Sequence, residues 1–401
     1  MNKYKTFIIF IILTAIWSSL FSIIKYFIWG YLQDSIAPDL QVLSGYLSLG
    51  GIFAYLLGGA ITYTFLKKYL LFSLSFLTLL FVLLAYLVPI ETNFGLAIII
   101  SSCGFFYGLW VVLRNILIAI EIKKTGMADT KVNAIISVIF IIFLIIGTIT
   151  GSKIFEMFGH EGFIVIIVLL VISSIVSLYL DYDKISIKEL FINGFNNYKL
   201  DRQKKFKEAI KNFLPELVYI YKNFTFIIIF ASLIWAIGTV VSQKAVEYSV
   251  EEFSKLPSEA AFLLLYSSLG AILGNVASSF MGKKRWKYFF FLNIFLGILI
   301  ILFPHFNGTF TTVGVMAFLI GVVFGGSTNL IESFFLMKIG EENKKEYGAS
   351  TYGLVLSITI VLIMFLASFI DKKFGFNTLM YTLGTIILLV NILNFKKTLG
   401  K

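Results

Sequence analysis

The sequence predicts an all-α membrane protein with twelve transmembrane helices arranged as two related six-helix bundles. Three observations lead there. Of 401 residues, 59% are hydrophobic and only 14% are charged, and the mean hydropathy is +0.93. Soluble domains carry about 25% charged residues, so lipid is the solvent for most of this chain. Apolar runs of about 20 residues, enough to cross a hydrocarbon core of roughly 30 Å, recur from one end to the other. Short segments of the first half also recur in the second half at a nearly constant offset.

Hydropathy places the helices at 7–32, 41–65, 69–90, 94–120, 132–154, 163–180, 223–245, 259–281, 288–304, 313–338, 349–370 and 376–395, numbered spans 1 to 12. Span 1 follows "MNKYK" and lacks the short core and small-residue cleavage site of a signal peptide, so it reads as a permanent helix. The long polar segment between spans 6 and 7 divides the chain into a bundle over 1–180, a cytoplasmic loop over 181–222 and a bundle over 223–401.

Basic residues orient these helices, because short cytoplasmic loops are enriched in Lys and Arg. With the N-terminus inside, 26 of the 33 basic residues fall on cytoplasmic segments. Four (Lys153, Lys255, Lys372, Lys373) fall outside and three lie within spans. Both termini are therefore expected in the cytoplasm, and richness in Ile, Phe, Lys and Asn suggests a bacterial plasma membrane. The same bias accounts for the net charge of +11 without a nucleic-acid partner. One cysteine, Cys103, excludes an intramolecular disulfide framework and a Cys-based metal cluster. In the central loop, Phe206, Ile210, Phe213 and Leu217 recur at helical spacing with lysines on the other faces. This is the pattern of an amphipathic helix lying on the cytoplasmic leaflet and linking two halves.

The internal repeat rests on two matches. "AIWSSLFSIIK" in span 1 resembles "LIWAIGTVVSQK" in span 7, with Trp17 and Trp235 218 positions apart. "GFFYG" in span 4 resembles "GVVFG" in span 10, 217 positions apart. A parallel repeat of two six-helix halves is an organisation used by transporters that rock around a midplane site. With these features the chain resembles the major facilitator superfamily over essentially its whole length. "GNVASSFMGKKR" after span 8 is similar to the superfamily's loop signature, while span 5 keeps only "GTITG" of the antiporter motif. "EIKKTGMADTKVNAIISVIFIIFLIIGTITG", with "IWAIGTVVSQ" and "LLLYSSLGAILGN", is similar to bacterial lysophospholipid transporters, although their Gly-Asp-Asn motif in span 1 is absent.

Four ionisable residues lie within spans: Lys25, Arg114, Lys244 and Glu332, in spans 1, 4, 7 and 10. Intramembrane charges normally face a bundle interior or water. The resemblance implies that these four helices line a central cavity. Lys25 lies far enough along its helix either to line that cavity or to snorkel to outer water, and Lys244 is nearer still to its helix exit. Arg114 and Glu332 occupy nearly pseudo-symmetric positions, Glu332 matching Asn115 under the offset of 217. They are expected to approach as an inner gate closes and to part as it opens. Three basic residues against one acidic one predict a net positive cavity that favours an anionic group. Trp17, Tyr26, Trp110, Trp235 and Phe324 are candidate apolar walls; Ser18, Gln243, Asn275, Ser327, Thr328 and Asn329 are candidate polar lining. The paired glycines of spans 4, 5 and 10 read first as helix-packing sites.

No histidine lies within a span, and the sequence has no HExxH motif, paired intramembrane acids or nucleotide-binding loop. An integral membrane enzyme and an ATP-driven pump are therefore disfavoured. The expected activity is secondary transport, by alternating access, of a small anionic or amphiphilic solute across the inner membrane. The alternatives are a lysophospholipid-like flippase, a proton-coupled drug or metabolite exporter, and a non-transporting receptor or scaffold. The expected partners are the substrate and membrane lipids, around a monomeric chain. No cofactor is expected, with protons the candidate coupling ion and Glu332 the protonatable side chain inside the spans.

Overall fold

A computed structural model describes residues 2–33, 40–64, 78, 82, 93–179, 195–255, 257–260, 262–281, 285–306, 308–341 and 345–398, and apart from short connections these are helical with no strand among them. Spans 1, 2, 4, 5 and 6 lie on Asn2–Gln33, Leu40–Thr64, Asn93–Thr125, Asp129–Phe158 and Gly162–Tyr179. Spans 8 to 12 lie on Phe262–Ser278, Arg285–Leu302, Phe310–Glu341, Lys345–Phe374 and Phe376–Thr398. Span 3 falls almost wholly outside the described residues. Among the described residues, eight stretches are long and apolar enough to cross a bilayer, one of them (Asp129–Ile175) covering spans 5 and 6 together; Ser44–Gly58 and Phe262–Ser278 are shorter apolar helices. This is an integral, multi-pass membrane protein.

Span 7 belongs to one helix, Phe195–Phe253, which runs through Pro215 without a break. The amphipathic segment expected as a separate surface helix is thus continuous with span 7. Leu214, Val218, Tyr219 and Tyr221 stand exposed along it. Span 11 passes into span 12 through one residue, Gly375, at φ +83, with its N–H donated to the Asp371 carbonyl at 2.8 Å. A side chain rarely adopts that backbone region, so glycine is what permits the tight reversal.

The helix pairing reproduces the sequence repeat. Span 1 packs along span 5 and span 2 along span 4; correspondingly, span 7 packs along span 11 and span 8 along span 10. Between the halves, span 2 lies against span 11 and span 5 against span 8, again related by a shift of six helices. Glycines make these pairings close. A Cβ on Gly104 would overlap the Leu47 carbonyl, and one on Gly321, its counterpart 217 positions on, would overlap the Ser267 carbonyl. Gly147 and Gly151 meet span 1 at Ser19 and Ile23 in the same way. In lipid no hydrophobic drive pushes helices together, so close backbone approach and dispersion must hold them. Large side chains divide accordingly: Phe10, Phe27, Trp110, Phe163 and Phe335 are buried, whereas Phe53, Leu362, Phe369 and Leu393 point outward.

Candidate functional site in a central cavity

Between the halves lies a cavity of two lobes, about 200 and about 220 Å³, which share Phe21, Arg114, Phe140, Trp235, Thr239 and Glu332. One lobe extends towards Lys25, Tyr26 and Gln243, and the other towards Tyr55, Tyr107, Asn115 and Tyr352. The walls are mostly aromatic and apolar with a few polar groups, as small-molecule sites usually are. Phe21 stacks on Tyr107 with centroids 3.6 Å apart, joining spans 1 and 4 at the wall. Trp235 stands edge-on to Phe324 at 5.0 Å, joining spans 7 and 10.

The two central charges are held separately. Glu332 Oε1 accepts the Trp235 indole N–H at 2.5 Å and the Tyr352 hydroxyl at 2.6 Å. The Arg114 guanidinium lies 4.8 Å from the Phe140 ring centroid and donates to Asn115 Oδ1 at 3.5 Å, the outer limit of a hydrogen bond. Its Nε is buried without a partner. Among the described residues, Arg114 and Glu332 form no ion pair with each other or with another side chain.

No family model matches the chain, and no curated protein matches its sequence. Solved structures do. The crystal structure of the human organic anion transporter MFSD10 (TETRAN) superposes with a TM-score of 0.72 at 9% identity, covering 98% of this chain and 99% of that one. The major facilitator superfamily proton:xylose symporter XylE, bound to 6-bromo-6-deoxy-D-glucose, superposes with a TM-score of 0.66 at 13% identity, covering 99% and 96%. The chain has the major facilitator fold. The major facilitator fold explains why residues of spans 1, 4, 7 and 10 meet at one cavity.

Of the residues singled out in the sequence, Lys25, Tyr26, Arg114, Asn115, Trp235, Gln243, Asn275, Phe324, Thr328 and Glu332 line the cavity. Lys25 donates to Ser44 Oγ at 2.8 Å and lies 5.4 Å from the Tyr26 ring centroid, so it faces inward rather than snorkelling. Trp17 instead stacks on Trp110 with centroids 5.8 Å apart and belongs to the core. Ser18 returns its hydroxyl to the Thr14 carbonyl at 2.5 Å, and Ser327 donates to Asn293 at 2.9 Å. Tyr55, Tyr107, Phe140 and Tyr352 escaped the sequence reading, because one aromatic among so many carries no mark of facing a cavity.

Asn329 has a different role. It accepts from Asn133 Nδ2 at 3.0 Å and donates to Ser278 Oγ at 2.8 Å, tying span 5 to spans 10 and 8. Nearby, Thr130 donates to the Ser279 carbonyl at 3.3 Å. Ser350 of span 11 donates to the Tyr55 carbonyl of span 2. These contacts join the halves towards the end that the charge bias assigns to the cytoplasm. Uncharged hydrogen bonds, with an asparagine clasp among them, join the halves at that end, and the ion pair expected between Arg114 and Glu332 is not formed in this structure. At the opposite end, Gln243 Nε2 donates to Ser44 Oγ at 2.8 Å, linking spans 7 and 2.

Lys244 does not face the cavity. Its Nζ lies 2.6 Å from both Glu247 Oε2 and Asp371 Oδ2, binding span 7 to span 11. The Lys244 side chain is only 7% exposed and that of Asp371 21%, so the cluster is largely shielded from water. Removing one partner of a buried ion pair leaves an uncompensated charge and costs about 3–5 kcal/mol. Lys244→Met strands two carboxylates, whereas Asp371→Asn leaves the Lys244–Glu247 pair intact. Thermal unfolding of the detergent-solubilised protein should therefore show a marked loss for Lys244→Met and a smaller one for Asp371→Asn. Equal melting temperatures for both variants and the parent would refute a structural role for the cluster.

Proposed function

We propose that the chain is a secondary transporter in a bacterial plasma membrane, with both termini cytoplasmic. It moves a small, water-soluble solute with an anionic group by alternating access. The observation that carries this reading is Arg114, a guanidinium with no ion-pair contact and with free donors in the central cavity. A guanidinium offers planar, two-pronged recognition of carboxylate or phosphate, and its desolvation goes uncompensated until such a group arrives. The asparagine clasp and the Ser44–Gln243 contact lie on opposite sides of the cavity, as two alternately opening gates would.

A soluble solute is favoured over a lysophospholipid by the seam between spans 2 and 11. Gly45 meets Phe365, Gly51 meets Ser357 and Tyr55 meets Gly353, so side chains fill that seam over about three helical turns. We assign any coupling proton to Glu332, the carboxylate that lines the cavity among the described residues. MFSD10 is an organic anion transporter, in agreement with an anionic substrate here, and XylE, a xylose symporter, makes a neutral sugar the natural control.

The test is uptake into proteoliposomes of small organic anions, neutral sugars, cationic dyes and a lysophospholipid. Saturable uptake confined to anion-bearing soluble solutes is the expected result. Uptake of only sugar, dye or lysophospholipid would overturn the proposal.

A further inference from the structure

The charges around the cavity balance once the structure is known. Sequence counting set three basic residues against one acid, but Glu247 and Asp371 flank Lys244. The Lys25 end thus holds Lys25 and Lys244 against Glu247 and Asp371, with Lys25 close enough to Glu247 to be attracted by it. What remains at the centre is one cation, Arg114, and one carboxylate, Glu332, bordering both lobes. A cavity balanced in this way does not select for a bare anion.

The two groups are also left open in complementary ways. Both donors on Glu332 bind Oε1, leaving Oε2 without a protein hydrogen bond and free to accept one. Arg114 has one long hydrogen bond, to Asn115, and its remaining donors are unused. The pair does not collapse, because the indole and phenol hold Glu332 while Asn115 and the Phe140 ring hold Arg114.

We infer that the substrate is a zwitterion of amino-acid type, its anionic group on Arg114 and its ammonium group on Glu332 Oε2. This rests on the transporter reading above and narrows its substrate class. A monoanion satisfies Arg114 but brings like charge towards Glu332, and a monocation does the reverse. Only a molecule bearing both charges pairs with each group and adds no net charge to the enclosed space. The aromatic walls at Phe21, Phe140 and Trp235 take its apolar body.

The experiment measures binding of matched triplets to the purified full chain in nanodiscs by calorimetry. Each triplet holds an amino acid, its deaminated acid and its decarboxylated amine: alanine, leucine and phenylalanine with their analogues, and xylose as the neutral arm. In at least one triplet the amino acid should bind about 10-fold or more tightly than either analogue, a charge-assisted hydrogen bond contributing about that much. Glu332→Gln, which keeps an oxygen for Trp235 and Tyr352, should erase the advantage over the acid without weakening acid binding. If the acids bind as tightly as the amino acids, in an Arg114-dependent way, the zwitterion inference falls and the anion transporter stands. Binding of xylose alone, of the amines alone, or of no probe at millimolar concentration overturns both.

Discussion

Arg114→Gln is expected to abolish measurable transport while leaving the protein folded. The guanidinium sits inside the spans with a buried, unpartnered Nε and no carboxylate paired to it among the described residues. Its removal therefore breaks no ion pair, although it takes away a positive charge that acts on Glu332. It does remove the Phe140 cation–π contact, worth about 0.5–2 kcal/mol, but it also relieves the burial of an unsatisfied charge. These oppose each other, so the melting temperature without ligand should change little. Binding is another matter. Truncating one partner of a desolvated, hydrogen-bonded charge pair costs about 2–5 kcal/mol, roughly 30-fold to several-thousand-fold in affinity. Arg114→Lys keeps the charge but loses the planar fork, so it should recover only part of the loss. The measurement is ligand-induced thermal stabilisation beside proteoliposome uptake. Full ligand stabilisation in Arg114→Gln would remove Arg114 from the site.

The twelve-helix architecture was legible because lipid imposes it: each span needs a long apolar run, and the runs are countable. The repeat was legible at Trp17/Trp235 and at Gly104/Gly321, and the structure answers with the same helix pairings in both halves. Partnerships across helices were not. Lys244 reads as an intramembrane charge near an exit, and only the fold brings Asp371, 127 positions away, to its ammonium. Asn329 reads as cavity lining because it is polar and near Glu332, yet it turns to Asn133 and Ser278. Trp17 repeats at Trp235, but one indole fills the core against Trp110 and the other clamps Glu332. The repeat fixed the placement of these helices, while the direction of each side chain depends on one or two neighbours that the sequence does not mark. For the same reason counting charges within spans misses Glu247 and Asp371, the two acids that flank Lys244 outside the lining.

Gly321→Ala and Gly104→Ala should each lower stability severely, and their effects should match because the positions are pseudo-symmetric. At Gly321 a methyl group would enter the space of the Ser267 carbonyl and approach the Ala271 amide at 3.1 Å; at Gly104 it would strike the Leu47 backbone. A side chain could rotate away, but a helix backbone cannot, so the whole span must retreat. Overpacking in a core costs about 1–3 kcal/mol, and here the displaced helix also loses dispersion contacts along its length. Gly340→Ala is the control, because its added methyl meets Ala119 at an ordinary 3.6 Å. A general benefit of alanine over glycine in helices would raise stability at all three positions. Close packing instead predicts that Gly340→Ala is neutral or better, while the other two lose folded monomer in thermal size-exclusion assays. Tolerance of alanine at Gly104 and Gly321 would refute the tight pairing of spans 2 with 4 and 8 with 10. In the proposed transporter that pairing matters, because alternating access would move helix groups as rigid bodies. A pair locked at its backbone carries Arg114 or Glu332 with it, whereas a loosened pair moves the helix and leaves the charge behind.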